Sequence, residues 1–376
     1  MRPSASLGIV LIAILGIFSY TSSTADPPLP PANPAPAVAA PATEKKPTFK
    51  EIYEQADYSA TLIIIYEREI EVTVTEWQDQ KQPNGTVVRK PVEVKKKEKQ
   101  FDPAVMSGFV AKDEENGKFY VYTAGHIYRP QYKIFAIEAS FKKNLPNEDL
   151  ELVGYDLKAD LAVLNFKKEK FVFNGNAAKL GDSSLIQPVD PVMTIGHSHT
   201  FLDHAPTTGI IVKTQIPYLN KLVHSARINY GNSGGPLLND KGEVVGINVL
   251  MMNDELGVYL CSLATPVNYL KRLDKQLKAG GEVKHADLQT VLVDSSEGVA
   301  VRWVYDVSIV ISGEELLYLR NGDIILNYDG RAPKNALEIE EYVFFEKNPG
   351  DKIKFKVKRE SKELEFEKEL KKFKKK

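Results

Sequence analysis

A serine enclosed by glycines is the clearest chemical feature of the chain: Tyr230-Gly231-Asn232-Ser233-Gly234-Gly235-Pro236-Leu237. A nucleophilic serine works from a tight, exposed turn that aims its Oγ and neighbouring N–H groups at one carbonyl. Glycines on both sides let the backbone curl there and approach a substrate without a Cβ. Because a serine hydroxyl is a weak nucleophile alone, a base and an orienting carboxylate must come from elsewhere in the chain. Two segments offer them. Thr123-Ala124-Gly125-His126 follows the apolar run Phe119 to Tyr122 and puts His126 at a strand end among small residues. Lys158-Ala159-Asp160-Leu161-Ala162-Val163-Leu164 sets Asp160 at the head of an apolar strand, where it would be partly buried. The chain order is His126, Asp160, Ser233.

The elements that must position these residues are mostly strands. From Thr48 to Leu273 the apolar residues fall in short runs rich in Val, Ile, Phe and Tyr, separated by Gly, Asn, Asp and Pro. Many short strands without intervening helical patterns predict an all-β barrel or sandwich. Within Glu67 to Gln100, Pro83-Asn84-Gly85 is a turn signal between two polar, alternating arms, which predicts a long exposed hairpin. Residues 81–100 carry seven Lys/Arg against two Glu, either a solvated face or a local anionic docking patch. Val267 to Lys278 has apolar residues at helical spacing and stops before Gly280-Gly281, marking a helix and a domain boundary.

Composition sets the class. The 376 residues are 43% hydrophobic and 26% charged, a globular balance with length for two or three domains. Lys+Arg 49 against Asp+Glu 50 leaves a net charge of -1, so no whole-chain basic field exists to hold nucleic acid. A single cysteine, Cys261, cannot close an intramolecular disulfide, and no Cys/His set has structural zinc spacing; within its apolar strand Cys261 is expected to be a buried small hydrophobe. Arg2, the apolar run Leu7 to Phe18 and Ser23-Thr24-Ala25 read as a signal peptide over residues 1–25, or as a membrane tether if retained. Residues 26–47 hold 8 of the 22 prolines and form a Pro/Ala-rich linker. Export without disulfides fits a bacterial periplasm or cell surface.

In the order and setting of its triad, the sequence resembles the trypsin-like serine proteases of the HtrA/Deg group. Leu180-Gly181-Asp182-Ser183-Ser184, Thr208-Gly209-Ile210-Ile211, Gly242-Glu243-Val244-Val245-Gly246-Ile247-Asn248 and Ala264-Thr265-Pro266-Val267-Asn268 look like that group's barrel segments, in order. The resemblance covers about residues 50–275 and extends weakly through Asn321-Gly322-Asp323-Ile324-Ile325 and Pro349-Gly350-Asp351. It implies an all-β double β-barrel of chymotrypsin type over 48–280, with the hairpin inserted at about 67–100. A small α+β PDZ-like domain over 285–370 would follow; residues 371–376 read by composition as a Lys-rich, solubilising tail. The resemblance makes Ser233 the nucleophile, His126 the general base and then acid, and Asp160 the carboxylate that fixes the imidazole tautomer. The N–H groups of Gly231 and Ser233 would form the oxyanion hole. No metal or cofactor is implied. Protein and peptide substrates, a role in protein quality control, and a homotrimer through aromatic residues near Tyr53 and Tyr58 are. The competing readings are a non-catalytic peptide-binding or holdase scaffold and a narrow-specificity regulatory protease.

Four features sharpen these expectations, the last three being departures from the group. Asn232 stands where proteases activated by N-terminal cleavage carry an Asp, so control is expected in loop ordering. Gly196-His197-Ser198-His199-Thr200 replaces an Asn-Pro-Phe-Gly type sequence, and His204 and His224 lie near; without fixed ligand spacing these histidines are not read as a metal site. No clean carboxylate-gripping loop is found near Leu288 to Val293, so the tail unit either binds peptides by strand addition or only packs on the barrel. The substrate pocket is assigned to Arg227, Ile228, Ile247, Asn248 and Val249. A guanidinium on its floor would select Asp or Glu, whereas an Arg227 turned to solvent would leave an apolar pocket for aliphatic side chains. Because the triad is complete before residue 280, residues 285–376 are expected to be dispensable for hydrolysing a small ester.

Overall fold

The computed structural model describes residues 46–374 except 84, 143–144, 170, 199–201, 217–218 and 305–317. The expected signal segment, the linker up to residue 45, His199 and the last two lysines lie outside the described residues. The chain enters through a short helix, α1 (Phe49–Gln55), whose start is closed by a reciprocal Thr48–Glu51 capping box. Six strands follow: β1 (Ser59–Lys81), β2 (Val87–Lys112), β3 (Phe119–Thr123), β4 (Lys133–Phe141), β5 (Glu148–Asp156) and β6 (Leu161–Phe166). They pair in the order β5-β4-β1-β2-β3-β6, and pairing of β5 with β6 joins the two ends into a closed ring. Strands β7 (Pro191–Ser198), β8 (Leu202–Ile216), β9 (Lys221–His224), β10 (Pro236–Leu238), β11 (Val244–Asn253) and β12 (Tyr259–Pro266) close a second barrel. The alternation of branched apolar residues suits the closure, since each inward row fills the lumen and ring closure pairs most strand edges.

One apolar core runs from Leu62, Val121 and Leu164 of the first barrel into Met193, Ile195 and Ile247 of the second. The two barrels therefore share a packed seam, and the candidate site lies along it. Helix α2 (Val267–Lys278) turns Leu270, Leu273 and Leu277 into this core and ends at Gly280, whose φ of +95° suits only glycine comfortably.

Beyond their first halves β1 and β2 leave the barrel as a two-stranded ribbon, paired out to Lys81↔Val87. From Arg68 to its tip the ribbon reaches about 45 Å at a strand rise of about 3.3 Å per residue. The basic run does not stand free on it. Lys99 pairs with Glu67 at 2.8 Å, Lys97 with Glu69 at 3.1 Å and Lys95 with Glu71 at 2.6 Å, all across the two strands. Cross-strand neutralisation turns that face into a solvated one rather than a cationic patch.

After α2 come β13 (Gly281–Glu282), which adds to β5 in parallel, and β14 (Ala286–Asp287). A five-stranded sheet then forms from β15 (Thr290–Ser295), β16 (Gly298–Val304), β17 (Ile324–Tyr328), β18 (Lys352–Arg359) and β19 (Lys362–Glu369). Helix α3 (Ala336–Glu346) lies between β17 and β18 in the chain, and a final β20 (Lys371–Lys372) pairs with β14. This unit has its own core, including Leu292, Tyr328, Ile339, Val343 and Phe355. Residues 46–376 nevertheless cluster as one compact unit. Tyr58 is buried, and Tyr53 is half-buried with the Lys142 ammonium 3.2 Å from its ring centre. Cys261 is only partly buried on β12, and that burial raises its thiol pKa.

Candidate active site

His126 sits in a single 3₁₀ turn, Gly125–Ile127, directly after β3. The turn rests on the tip of the β5–β6 hairpin, where a Cβ on Gly125 would collide with the Asp156 carbonyl and the Leu161 amide. That close approach explains the glycine before the histidine. Asp160 ends the hairpin loop with φ +60°, a left-handed conformation that Asp tolerates better than most residues. Its carboxylate takes His126 Nδ1 at 3.0 Å to each oxygen and also accepts the His126 backbone N–H at 2.8 Å. A carboxylate can only accept, so Nδ1 carries the proton and Nε2 is left as the base.

The serine loop is a pair of turns. Asn232 N–H donates to the Asn229 carbonyl at 3.1 Å, and Gly231, third residue of that turn, has φ +99°, as a type II turn requires. Among the described residues neither the Gly231 N–H nor the Ser233 N–H donates to any group. Two free donors one residue apart beside a serine form an anion-binding concavity. Ser233 Oγ donates to the Val249 carbonyl at 3.4 Å, and no hydrogen bond joins it to His126. The His–Asp pair is thus formed while the hydroxyl faces β11.

A residue that the sequence reading passed over holds this loop. Ser107, fully buried on β2, donates its hydroxyl to the Gly231 carbonyl at 2.7 Å and accepts the His197 N–H at 2.8 Å. Its backbone N–H donates to the Ser233 carbonyl at 2.8 Å, and its carbonyl accepts Thr123 Oγ1 at 2.7 Å. Only its neighbour Gly108 hinted at it. A buried hydroxyl in a glycine-containing strand of the other barrel carries no local mark of a contact 124 residues away.

The predicted pocket residues divide. Ile228 and Val249 are buried close to the loop, and Ile247 is part of the shared core. Asn248 is fully buried too: its Nδ2 donates to the Gly235 carbonyl at 3.1 Å, the Pro236 carbonyl at 3.3 Å and Thr194 Oγ1, tying β10 and β7 to β11. Arg227 is exposed and lays its guanidinium 5.0 Å from the centre of the Tyr259 ring. Its charge is turned to solvent, not to the pocket floor.

The histidine group is spread out. His197 Nδ1 lies 3.2 Å from Asp203 Oδ1, His204 Nε2 lies 3.6 Å from Asp203 Oδ2, and Thr61 also donates to that carboxylate. His224 is fully buried on β9, and burial lowers its pKa to about 4 against the opposing pull of the Asn248 side chain and the Ala226 backbone. Among the described residues no group of three or more His, Cys, Asp or Glu is arranged to hold a metal ion.

Two closed β-barrels sharing a seam, with His, Asp and a glycine-flanked Ser arriving there in that order, are the arrangement of trypsin-like serine peptidases, and residues 106–247 match the trypsin-like peptidase domain family. Within that class the chain is similar to the HtrA/DegP type. It is 33% identical over 226 residues, 57% of this chain and 47% of the relative, to the probable periplasmic serine endoprotease DegP-like of Marinomonas sp. (strain MWYL1). It is 28% identical over 288 residues, 69% of this chain and 61% of the relative, to the serine protease Do-like HtrA of Bacillus subtilis (strain 168). The chain spans about half the length of the curated relatives it matches. Among solved structures, the HtrA-type protease AlgW with decapeptide superposes with a TM-score of 0.56 at 21% identity, covering 87% of this chain and 99% of that one. The serine endoprotease from Yersinia pestis gives 0.54 at 22% identity, covering 88% and 100%. At that identity the likeness concerns the fold.

Proposed function

We propose that this chain is an exported serine endopeptidase that cleaves unfolded or extended protein segments through an acyl-enzyme, in the service of protein quality control. The observation that carries the proposal is the Asp160-held His126 together with Ser233 between two unpartnered N–H groups. In the reaction, Ser233 Oγ turns from the Val249 carbonyl toward His126 Nε2, gives up its proton there and attacks the scissile carbonyl. The oxyanion is received by the Gly231 and Ser233 N–H groups. His126 passes the proton to the leaving amine, and water then attacks the acyl-serine with His126 again as base. Asp160 keeps the imidazole in the required tautomer and offsets its transient charge. None of these steps calls for a metal or cofactor.

The names of the relatives support a periplasmic location, in agreement with the expected signal segment. The buried Ile228 and Val249 support an apolar pocket for an aliphatic side chain before the scissile bond, with Arg227 outside it. The resting rotamer of Ser233 supports regulation through ordering of the loop. Asn232 gives the same indication, since its buried Oδ1 has no partner. Labelling of Ser233 by a fluorophosphonate, and a casein digest read by cleavage-site mass spectrometry beside Ser233→Ala, test the proposal. A digest unchanged in the serine variant, or an unlabelled wild type that still binds unfolded protein, would replace it with a holdase scaffold.

A further inference from the structure

The loop that presents Asp160 is held from the second barrel, where Lys221 Nζ and Thr265 Oγ1 each donate to the Ala159 carbonyl at 2.6 Å, and is gripped again from outside the double barrel. It is the four-residue connection of a hairpin, residues 157–160, closed by the pairing of Asp156 with Leu161. Fixing Asp156 therefore fixes the frame from which Asp160 projects. Inside the loop, Asp156 Oδ1 accepts the N–H groups of Lys158 at 2.9 Å and Ala159 at 2.8 Å. Its other oxygen, Oδ2, meets His285 Nε2 at 2.5 Å, with the two side chains 0% and 4% exposed. His285 belongs to the segment just before β14, and its remaining nitrogen donates to the Phe344 carbonyl of α3 at 3.0 Å. The imidazole also stacks on the Phe344 ring, centroids 3.9 Å apart and planes 18° apart. A second anchor lies beside the first, where the half-buried Lys158 donates its ammonium to the Ala286 carbonyl at 2.7 Å. The Asp156 carbonyl in turn abuts Gly125, the residue before His126.

We propose that His285 is a positioning residue for catalysis: through Asp156 it holds the 157–160 loop, so that the C-terminal sheet-and-helix unit completes the His126–Asp160 pair. The inference rests on the serine-peptidase reading for its kinetic consequence, though not for its geometry. The tight grip follows from burial. A carboxylate removed from water keeps its charge cheaply only while its hydrogen bonds are complete, so Asp156 and His285 stay locked where an exposed pair would open and close. Losing that lock lets the loop drift, and a displacement of about 1 Å in a triad costs on the order of 100-fold in rate. On this reading residues 285–376 are required even for a small ester, against the expectation that a triad finished by residue 280 acts alone.

The experiment compares full-length wild type, His285→Leu and His285→Gln. Two readouts are used: steady-state hydrolysis of a small activated ester, and the downfield NMR resonance of the His126 Nδ1 proton shared with Asp160. Expected for His285→Leu is a roughly 10- to 100-fold lower kcat with KM within about twofold, and a broadened, exchanging Nδ1 proton. His285→Gln, which keeps a donor toward Asp156, should recover most of both. A folded His285→Leu chain with wild-type kcat and an unchanged resonance overturns the inference. If wild type hydrolyses nothing, the function proposed above fails, while the resonance still decides this question. If His285→Leu does not fold, Lys158→Met removes the second anchor alone and should move the resonance and kcat in the same direction; no movement in either would also overturn it.

Discussion

Ser107 Oγ donates to the Gly231 carbonyl at 2.7 Å across the seam between the barrels, so a strand of the first barrel sets the shape of the serine loop carried by the second. The same hydroxyl receives the His197 N–H, so one atom joins β2, β7 and the turn whose N–H groups would receive an oxyanion. Ser107→Ala is expected to fold, to lose about 1–3 kcal/mol through the unpaired groups it leaves, and to lower kcat by roughly 10²-fold through a loosened oxyanion turn. KM should change little. Ester kinetics together with thermal unfolding check both parts, and an unaltered kcat would show that the turn holds its shape without the bond.

Ser233→Ala, His126→Ala and Asp160→Asn should each remove turnover by roughly 10⁴-fold or more while leaving the fold intact. Asp160→Asn is the most informative of the three. Asn also tolerates the left-handed backbone seen at residue 160, so the loss would come from the imidazole tautomer and not from the turn. Circular dichroism beside the kinetics separates these causes.

His224 links stability to pH. Its ring is fully buried, and burial outweighs the Asn248 and Ala226 contacts to hold its pKa near 4 against an ordinary 6.5. Between these values the unfolded chain binds the proton and the folded chain does not, so stability falls as pH drops from about 6.5 to about 4 and is fully present above 6.5. A depression of this size corresponds to about 3 kcal/mol. Denaturant titrations at pH 7.5 and 4.5, wild type beside His224→Leu, should show a smaller acid loss in the variant. Equal losses would place the acid sensitivity elsewhere.

Arg227 packs on Tyr259 at the surface, so Arg227→Ala should cost no more than about 1 kcal/mol and leave the cleavage preference unchanged. Sites mapped by mass spectrometry should lie after aliphatic residues in both proteins. Sites concentrated after Glu or Asp, and lost in the variant, would mean that the guanidinium swings into the pocket when substrate binds.

The candidate residues His126, Asp160 and Ser233, their order, the glycines around the serine, the strand-rich class and the α2 stop were all legible in the sequence. Each is written in residue type and short-range spacing: a positive φ at Gly231, an apolar run ending at His126, a helical period before Gly280. What the tertiary structure alone decided depends on pairs far apart in the chain. Ser107 carries no local sign of Gly231, nor Asp156 of His285, because both contacts arise only when separate sheets are brought together, 124 and 129 residues apart. The direction of Arg227 was open for a related reason. A long cation can be held by an anion in a pocket or by water and an aromatic face outside it, and only the position of Tyr259 on the neighbouring strand settles the balance. Local pattern chose the groups capable of chemistry, while long-range packing chose which of them are held still, which are buried without a partner, and which face solvent.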